Sequence, residues 1–181
     1  LKLNTETIQN DFKEKCEFEK IQNFNPLYSR FFNLNSTNYN SIVLNHTEHL
    51  ERINSRTGEN VLSCTTNNDE NKEVFVKFSP LLEPVKVLVG RYDINDTYLN
   101  ELPTFDASYV LPITSGNKKK IETKEIVMDT NNIPYVDGFF SYLSNYLSNH
   151  SNFKNGIKFY GAYLANKKDF RYNLEDDIMY I

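Results

Sequence analysis

Two β-rich runs on either side of a short polar turn constrain the fold of this chain most strongly. They are residues 61–66 and 73–78, and the six residues between them are all polar or charged. Two such runs joined by a polar turn are typical of a β-hairpin. Side chains alternate across a strand, so Val74, Val76 and Phe78 share one face of the second run. The pattern predicts an antiparallel hairpin with an apolar face.

The composition supports a packed core around this hairpin. The chain has 181 residues, with 13 Phe and 12 Tyr, and 39% of its residues are hydrophobic. A chain of this length can bury roughly 70% of its unfolded surface as one domain, and so many aromatic residues are foreign to disordered tails. Its net charge of -4 argues against a general nucleic-acid-binding role, which needs a basic face. We therefore expect no nucleic-acid partner.

The cysteines, the asparagine content and the two ends of the sequence each support a separate expectation. Cys16 and Cys64 match no zinc signature and are too few for a disulfide framework, so we expect two buried free thiols. The 25 asparagines and the absence of tryptophan follow the bias of AT-rich codons. The sequence begins without Met and stops within a patterned segment, which we interpret as a piece of a longer polypeptide.

No segment has both the length and the apolar character of a membrane span. A long uncharged run, residues 138–153, is interrupted by serine, asparagine and histidine side chains, which are costly in hydrocarbon. We therefore expect no membrane partner.

Hydrophobic periodicity predicts two helices and several shorter elements. Residues 5–23 place Ile8, Phe12 and Cys16 on one side of an amphipathic helix. Asp137 is predicted to cap a second helix with a repeating apolar stripe, formed by Phe140, Leu143, Tyr146 and Leu147. The other predicted elements are packed irregular structure at 24–40, a strand at 41–44, a short helix at 46–56 with Leu50 and Ile53 inward, an apolar element at 81–89 ended by Gly90, a long connection over 91–118, an extended run at 121–128 and a strand at 157–164.

The predicted fold class is α+β, with a small antiparallel sheet and packed helices. Strands and helices are interspersed without the regular βαβ rhythm that a parallel sheet needs. We divide the chain into an N-terminal helical and irregular arm, residues 1–59, and an α+β region, residues 60–181.

Three polar clusters could carry chemistry. His46 and His49 lie at i and i+3, so both could face one metal ion on a helix, although the zincin signature places its histidines at i and i+4. The carboxylates at 175–177 could bind a hard cation, and the lysines at 118–120 could contact an anion. Each cluster also has a simpler interpretation. The histidines would lie at a polar helix start, the carboxylates at an acidic helix start that the helix dipole favours, and the lysines in a solvated turn. We assign no metal ligand and no catalytic residue from these clusters.

Lys77 ends a short motif with a defined chemistry. Val74-Phe75-Val76-Lys77 follows a hairpin turn in a strand, as the Val-Ala-Ile-Lys motif of protein kinases does. That chemistry needs a strand that fixes a long cation beside a cleft, with apolar neighbours that anchor the strand. The alternative is a lysine that simply ends a surface strand.

Three blocks of sequence extend this likeness in chain order. They are residues 74–92, which contain the Lys77 motif, residues 135–144, which begin Tyr135-Val136-Asp137-Gly138, and residues 155–164, which begin Asn155-Gly156-Ile157-Lys158 and are followed by Asp169-Phe170 and Leu174-Glu175-Asp176-Asp177-Ile178. The blocks resemble segments of the serine/threonine kinase-like proteins of giant nucleocytoplasmic large DNA viruses. An Asn-rich, AT-biased composition also suits such a virus.

The resemblance implies the N-terminal part of such a protein, with a fold like a divergent kinase N-lobe. The family's catalytic loop, His-Asn-Asp-Leu-His-x-Asn-Asn, lies downstream of these blocks, and neither it nor Asp-Phe-Gly occurs here. Phosphoryl transfer needs a base aspartate and magnesium ligands, so this chain alone is expected not to be catalytic. By the same resemblance Lys77 would contact nucleotide phosphates, with Glu83 as its nearest candidate partner. ATP and Mg would be cofactors of the full-length protein, and none is expected for these 181 residues alone.

These observations lead to competing functional hypotheses. The first is the N-terminal region of a viral kinase-like protein, which helps form a nucleotide-binding lobe and contacts a downstream kinase-like segment or viral proteins. The alternative is a non-enzymatic, virion-associated structural or interaction module that docks through residues 24–39 or 85–89, unless those residues fill the core. A small metal-binding protein using His46 and His49 is the third. The expected location is the virus factory of the host cytoplasm or the virion.

Overall fold

Small antiparallel sheets and a few helices make up this α+β fold, as the sequence predicts. The computed structural model describes residues 5–92, 95–107, 122–151 and 153–175. Its helices and strands in chain order are α1 Thr5–Cys16, β1 Phe18–Gln22, β2 Leu50–Arg56, β3 Val61–Thr66, β4 Asn71–Phe75, α2 Pro84–Leu88, α3 Thr123–Met128, α4 Ile133–His150 and β5 Leu164–Lys167. Short 3-10 helices lie at Pro26–Arg30, Tyr39–Ser41 and Thr97–Asn100.

Strands β2, β3 and β4 form one antiparallel sheet with β3 in the middle. The β3–β4 pair is the predicted hairpin, and its register sets Val61 opposite Phe75 and Thr65 opposite Asn71. In the turn, Asp69 has a φ of 58°, a left-handed conformation that Asp tolerates better than most residues. The predicted hairpin is therefore confirmed, although its second strand ends at Phe75.

The inner face of this sheet packs against α1. Burial alternates along β3, where Leu62, Cys64 and Thr66 are buried and their neighbours are half-buried. The core cluster consists of Ile8, Phe12, Cys16, Phe18, Ile53, Leu62 and Cys64. Both cysteines lie in it as free thiols, and burial raises the pKa of Cys64 to about 11.

A charged pair fastens α1 to the edge strand β2. Asp11 accepts the Ile53 N–H through Oδ2 at 2.9 Å, and its Oδ1 pairs with Lys15 Nζ at 2.6 Å. Lys15 also donates to the Ile53 carbonyl. Because β2 is an edge strand, the outward backbone groups of Ile53 need partners outside the sheet, and side chains of α1 supply them.

A second sheet pairs β1 with β5 antiparallel, with Phe18 opposite Lys167. The helix predicted over 5–23 is therefore wrong beyond Cys16. Glu17 and Lys20 have φ values of 59° and 50°, and such left-handed residues end a right-handed helix.

Strand β2 replaces the helix that was predicted at 46–56. Leu50 and Ile53 both pack inward, as expected, but residues three apart cannot share one face of a regular strand. The β2–β3 register shifts after Leu50 and again after Ile53. The first shift lies between Leu50 and Ile53 and lets both side chains point towards the core, so a spacing that fits a helix is accommodated in a strand.

Three other short elements also differ from prediction. Residues 42–44 are irregular, the segment at 123–128 is helix α3 instead of an extended run, and residues 157–163 stay irregular until β5 begins. Short apolar runs suit more than one backbone conformation, so contacts with distant segments decide. Phe159 illustrates this, because its N–H is donated at 2.8 Å to the Asn145 side chain and not to a neighbouring strand.

Helix α2 is the apolar element predicted at 81–89. Pro84 lies in its first turn, and Gly90 follows its end with a φ of 70°, which glycine adopts without strain. Val87 and Leu88 remain exposed, so this stretch does not fill the core.

Helix α4 begins four residues before the predicted cap. Pro134 occupies its first turn, where a missing N–H has no cost, and Asp137 therefore lies one turn inside. Tyr135 is buried and donates its hydroxyl to the Val127 carbonyl of α3 at 2.8 Å. Among the described helices, α4 included, none combines the length and the apolar character needed to cross a bilayer.

The division predicted between residues 1–59 and 60–181 falls between β2 and β3. These two strands are neighbours in one sheet, with Ile53 opposite Cys64 in their register. Ile53 and Leu62 also belong to the same core cluster. Side chains from both sides of the division therefore build one core.

Candidate functional site

Lys77 leaves the central sheet two residues after β4 ends. Val76 still donates its N–H to the Asn60 carbonyl at 2.8 Å, and the side chains of Val76 and Phe78 pack against the core. Because side chains alternate along an extended chain, Lys77 points away from the core, and its side chain is 65% exposed. The apolar anchoring that the motif needs is therefore present on both sides of the lysine.

Lys77 is paired with a carboxylate from the long helix. Its Nζ lies 2.7 Å from Oδ2 of Asp137, a residue of α4 that lies 60 positions later in the chain. An exposed pair of this kind adds at most about 1 kcal/mol to stability. Its consequence is geometric, because the carboxylate favours a position of the Lys77 amino group beside α4.

Glu83, the other residue predicted to bind the cofactor, lies elsewhere. It is the N-cap residue of α2, and its carboxylate pairs with Lys86 at 2.6 Å. The structure thus brings Lys77 together with Asp137, and the described contacts of Glu83 do not include Lys77. The nucleotide-binding roles of Lys77 and Glu83 stay predictions.

A second group of polar side chains lines an open groove of about 340 Å³ beside the C-terminal half of α4. Two contacts hold the segment that follows α4 against the helix. A side chain at Gly156 would place its Cβ 2.5 Å from the Ser144 carbonyl oxygen, so only glycine fits there. Asn145, which is buried, accepts the Phe159 N–H at 2.8 Å through Oδ1.

Two imidazole rings border this groove, each with one nitrogen engaged. His46 stacks on Tyr142 at 4.7 Å between ring centroids, and its Nε2 lies 3.2 Å from the Tyr142 carbonyl. His150 stacks on Tyr146 at 4.1 Å, and its Nδ1 lies 2.8 Å from the Tyr146 carbonyl. Since a carbonyl only accepts, these two nitrogens carry the proton. In the neutral rings, His46 Nδ1 and His150 Nε2 then hold lone pairs that could accept hydrogen bonds from a polar ligand.

Glu48 is the acidic centre of the groove. Its carboxylate pairs with Lys72 of β4 and, at 3.1 Å, with Lys158. Hydrogen bonds from these two lysines hold the pKa of Glu48 below its ordinary value. Burial, with a smaller contribution from His150, lowers the pKa of His46. At neutral pH the groove therefore combines an uncharged His46 with a carboxylate that two lysines already balance.

His46 should give the fold a pH dependence of definite sign. Because its pKa is lower in the folded chain, the unfolded chain takes up the proton first as the pH falls. The free energy of unfolding should then decrease as the pH falls below about 7.5, through the range in which the unfolded histidine takes up its proton. In His46→Gln the free energy of unfolding should lack this decrease with falling pH. The difference from the parent chain should be less than about 1 kcal/mol, because the ring is only half-buried. Urea unfolding followed by far-UV circular dichroism measures it, and an unchanged slope would contradict the assignment.

The helix on which His46 and His49 could have faced one metal ion does not form. The segment is not a helix, and the backbone N–H of His49 is donated at 2.9 Å to Asn67 in the hairpin turn, while His46 faces α4. His49 Nδ1 is buried and finds no hydrogen-bond partner among the described residues. Across all the residues that the structure describes, no group of three or more His, Cys, Asp or Glu side chains is arranged to hold a metal. The lysines at 118–120 and most of the acidic run at 175–177 lie outside the described residues.

Sequence reasoning missed Asp137 as the partner of Lys77 and missed the groove altogether. A signal for Asp137 did exist, because Pro134 is a typical first-turn residue and would have moved Asp137 from the cap onto the helix surface. The groove has no local signal, since His46 and Tyr142 lie 96 residues apart.

No family model, no curated protein and no solved structure matches this chain, so its function is inferred from its residues and their geometry.

Proposed function

We propose that this chain is the N-terminal region of a viral serine/threonine kinase-like protein and contributes to its nucleotide-binding lobe. The observation that carries the proposal is the 2.7 Å ion pair between Lys77 and Asp137. In protein kinases a strand lysine is held by a helix glutamate and reaches the nucleotide phosphates. Here the lysine follows a strand of a three-stranded antiparallel sheet, and the carboxylate comes from α4. Asp137 takes the place that the sequence suggested for Glu83.

The surroundings of the pair support a fixed position for both charges. Val76 and Phe78 pack against the core on either side of Lys77. Tyr135, two residues before Asp137, is buried and bonded to α3. Packing thus holds both backbones, while the charged ends of the side chains stay exposed to a ligand. A phosphate could accept charge-assisted hydrogen bonds from the ammonium group while the carboxylate keeps it oriented.

Catalysis is proposed for the longer protein and not for these 181 residues. The base aspartate and the magnesium ligands would come from a downstream kinase-like segment, which would be the immediate partner of this region. ATP and Mg would be the cofactors of that full-length protein. Its proposed location is the virus factory of the host cytoplasm or the virion.

Lys77→Ala in the full-length protein should lower phosphoryl transfer on the order of 100-fold, because it removes a fixed positive charge beside the phosphates. Lys86→Ala is the matched control, since Lys86 is also an exposed lysine paired with an acidic side chain. It should keep the parent activity. Both variants should unfold at the parent temperature, because exposed pairs contribute little to stability. Normal phosphorylation by Lys77→Ala would overturn the proposed role.

A non-enzymatic, virion-associated interaction module is the second candidate, and a different observation favours it. Helices α2 and α4 expose large apolar side chains, Leu88 and Phe140 among them. The segment at 24–39, by contrast, turns Phe24 and Tyr28 into the core. Mass spectrometry of purified virions tests this function, and absence of the chain from the particles would rule it out.

A further inference from the structure

Helix α4 has two apolar sides, and among the described residues contacts cover only the one that carries Tyr135. On the covered side Tyr135 is buried, Phe139 stacks on Phe31 at 4.6 Å, and Tyr142 stacks on His46. These contacts fix which face of the helix is directed at the rest of the chain.

The other side carries a line of exposed apolar residues, called here the α4 stripe. Its members are Ile133, Val136, Phe140, Leu143 and Leu147. They are between 41% and 79% exposed, and they follow one another at alternating steps of three and four residues. That spacing is the heptad repeat of apolar residues with which two helices pack side by side.

The exposed area of the stripe is large enough for a protein interface. The exposed fractions correspond to on the order of 500 Å² of apolar side chain, whereas a standard interface buries about 800 Å² per partner, somewhat over half of it apolar. A contiguous exposed patch of this size on a soluble protein marks an interaction site. A helix that is apolar over more of its circumference than one stripe is typically buried there as well.

We infer that the α4 stripe binds the α4 stripe of a second copy of this chain. The stripe contains no charged residue, so two copies can meet about a two-fold axis without placing like charges together. The same uncharged row on both sides makes the surface complementary to itself. Heptad spacing lets the side chains of one helix fill the gaps in the other.

A lipid surface fits the stripe less well than a second copy does. Helices that lie on membranes carry Lys or Arg on their polar face. Helix α4 has no Lys and no Arg, and the chain has a net charge of -4, which anionic lipids would repel. The inference goes beyond the proposed kinase-like function and does not depend on it, because Lys77 is not part of the stripe.

Sedimentation equilibrium of the 181-residue chain tests this inference. The expected species at micromolar concentration has twice the chain mass of 21.2 kDa. Phe140→Glu should raise the dissociation constant of the dimer by about 100-fold or more, since the dimer would bury the new charge beside an apolar row. Phe75→Glu is the control, because Phe75 is equally large and 69% exposed but lies on β4. It should leave the dimer intact.

Four results would overturn the inference. The first is a parent chain that stays monomeric up to its solubility limit, and the second is a dimer that Phe140→Glu does not weaken. The third is a Phe140→Glu monomer that loses circular dichroism at 222 nm at a dilution where the parent monomer keeps it, which would show that the stripe is covered within its own chain. Binding of the parent chain to phosphatidylcholine vesicles with no dimer in solution would assign the stripe to lipid and would also contradict the inference.

Discussion

We expect Tyr135→Ala to lower the free energy of unfolding by about 4 kcal/mol, because truncation of a large buried ring leaves a cavity that its neighbours fill only in part. The side chain is 1% exposed, and its hydroxyl donates to the Val127 carbonyl at 2.8 Å. The substitution would also leave that buried carbonyl without its partner. Urea unfolding followed by circular dichroism at 222 nm measures the change, since the chain has no tryptophan for fluorescence.

Two variants separate the contributions to this loss. Tyr135→Phe keeps the ring and removes the hydroxyl, so it should cost only about 1–2 kcal/mol. Tyr146→Ala removes an aromatic ring from the same helix, but this ring is half-exposed, and its loss should change stability by less than about 1 kcal/mol. Equal losses for Tyr135→Ala and Tyr146→Ala would contradict the burial that anchors α4 to α3.

The elements that could be predicted are those with a strong local pattern. The β-rich run at 61–66 predicted β3, and the polar turn after it predicted the hairpin. The period of apolar residues likewise gave α4. It did not show which side of α4 is buried, because the helix carries apolar residues on two sides and the predicted stripe, which includes Phe140, is the exposed one.

The elements that escaped prediction depend on long-range pairing. Strand β1 carries Glu19 and Lys20 and looks like the end of a helix, yet it pairs with β5 across most of the chain. Strand β2 keeps a helix-like spacing of Leu50 and Ile53 because one bulge lies between them. The residues of a strand alone do not show which distant strand it pairs with or where a bulge will form.

The candidate site divides in the same way. The motif around Lys77 was visible because its apolar neighbours alternate over a few residues. Its partner Asp137 was not, since the ion pair spans 60 residues and depends on how α4 lies against the end of β4. The nearer acid, Glu83, is drawn instead to Lys86 by the first turn of α2.

The pair that fastens α1 to β2 has a comparable predicted effect. We expect Asp11→Ala to lower the free energy of unfolding by about 3 kcal/mol, because it strands a buried backbone donor and removes the partner of a half-buried ammonium group. The donor is the Ile53 N–H, which lies 2.9 Å from Asp11 Oδ2, and the ammonium group is that of Lys15 at 2.6 Å from Oδ1. Urea unfolding of the variant and the parent chain at neutral pH measures this difference.

Asp11→Asn and Glu14→Ala show whether the bonds themselves are responsible. The Asn variant keeps one oxygen that can accept the Ile53 N–H, but its NH2 group replaces the oxygen that accepts from Lys15. It loses one of the two bonds together with the charge, so its cost should be about half that of Asp11→Ala. Glu14 lies on the exposed side of the same helix, and its truncation should stay within about 0.5 kcal/mol. If Asp11→Ala were as mild as Glu14→Ala, the edge of β2 would not depend on α1 for its hydrogen bonds. If only Asp11→Ala lowers the free energy of unfolding strongly, the stability of this sheet depends on one carboxylate that bridges a helix and an edge strand.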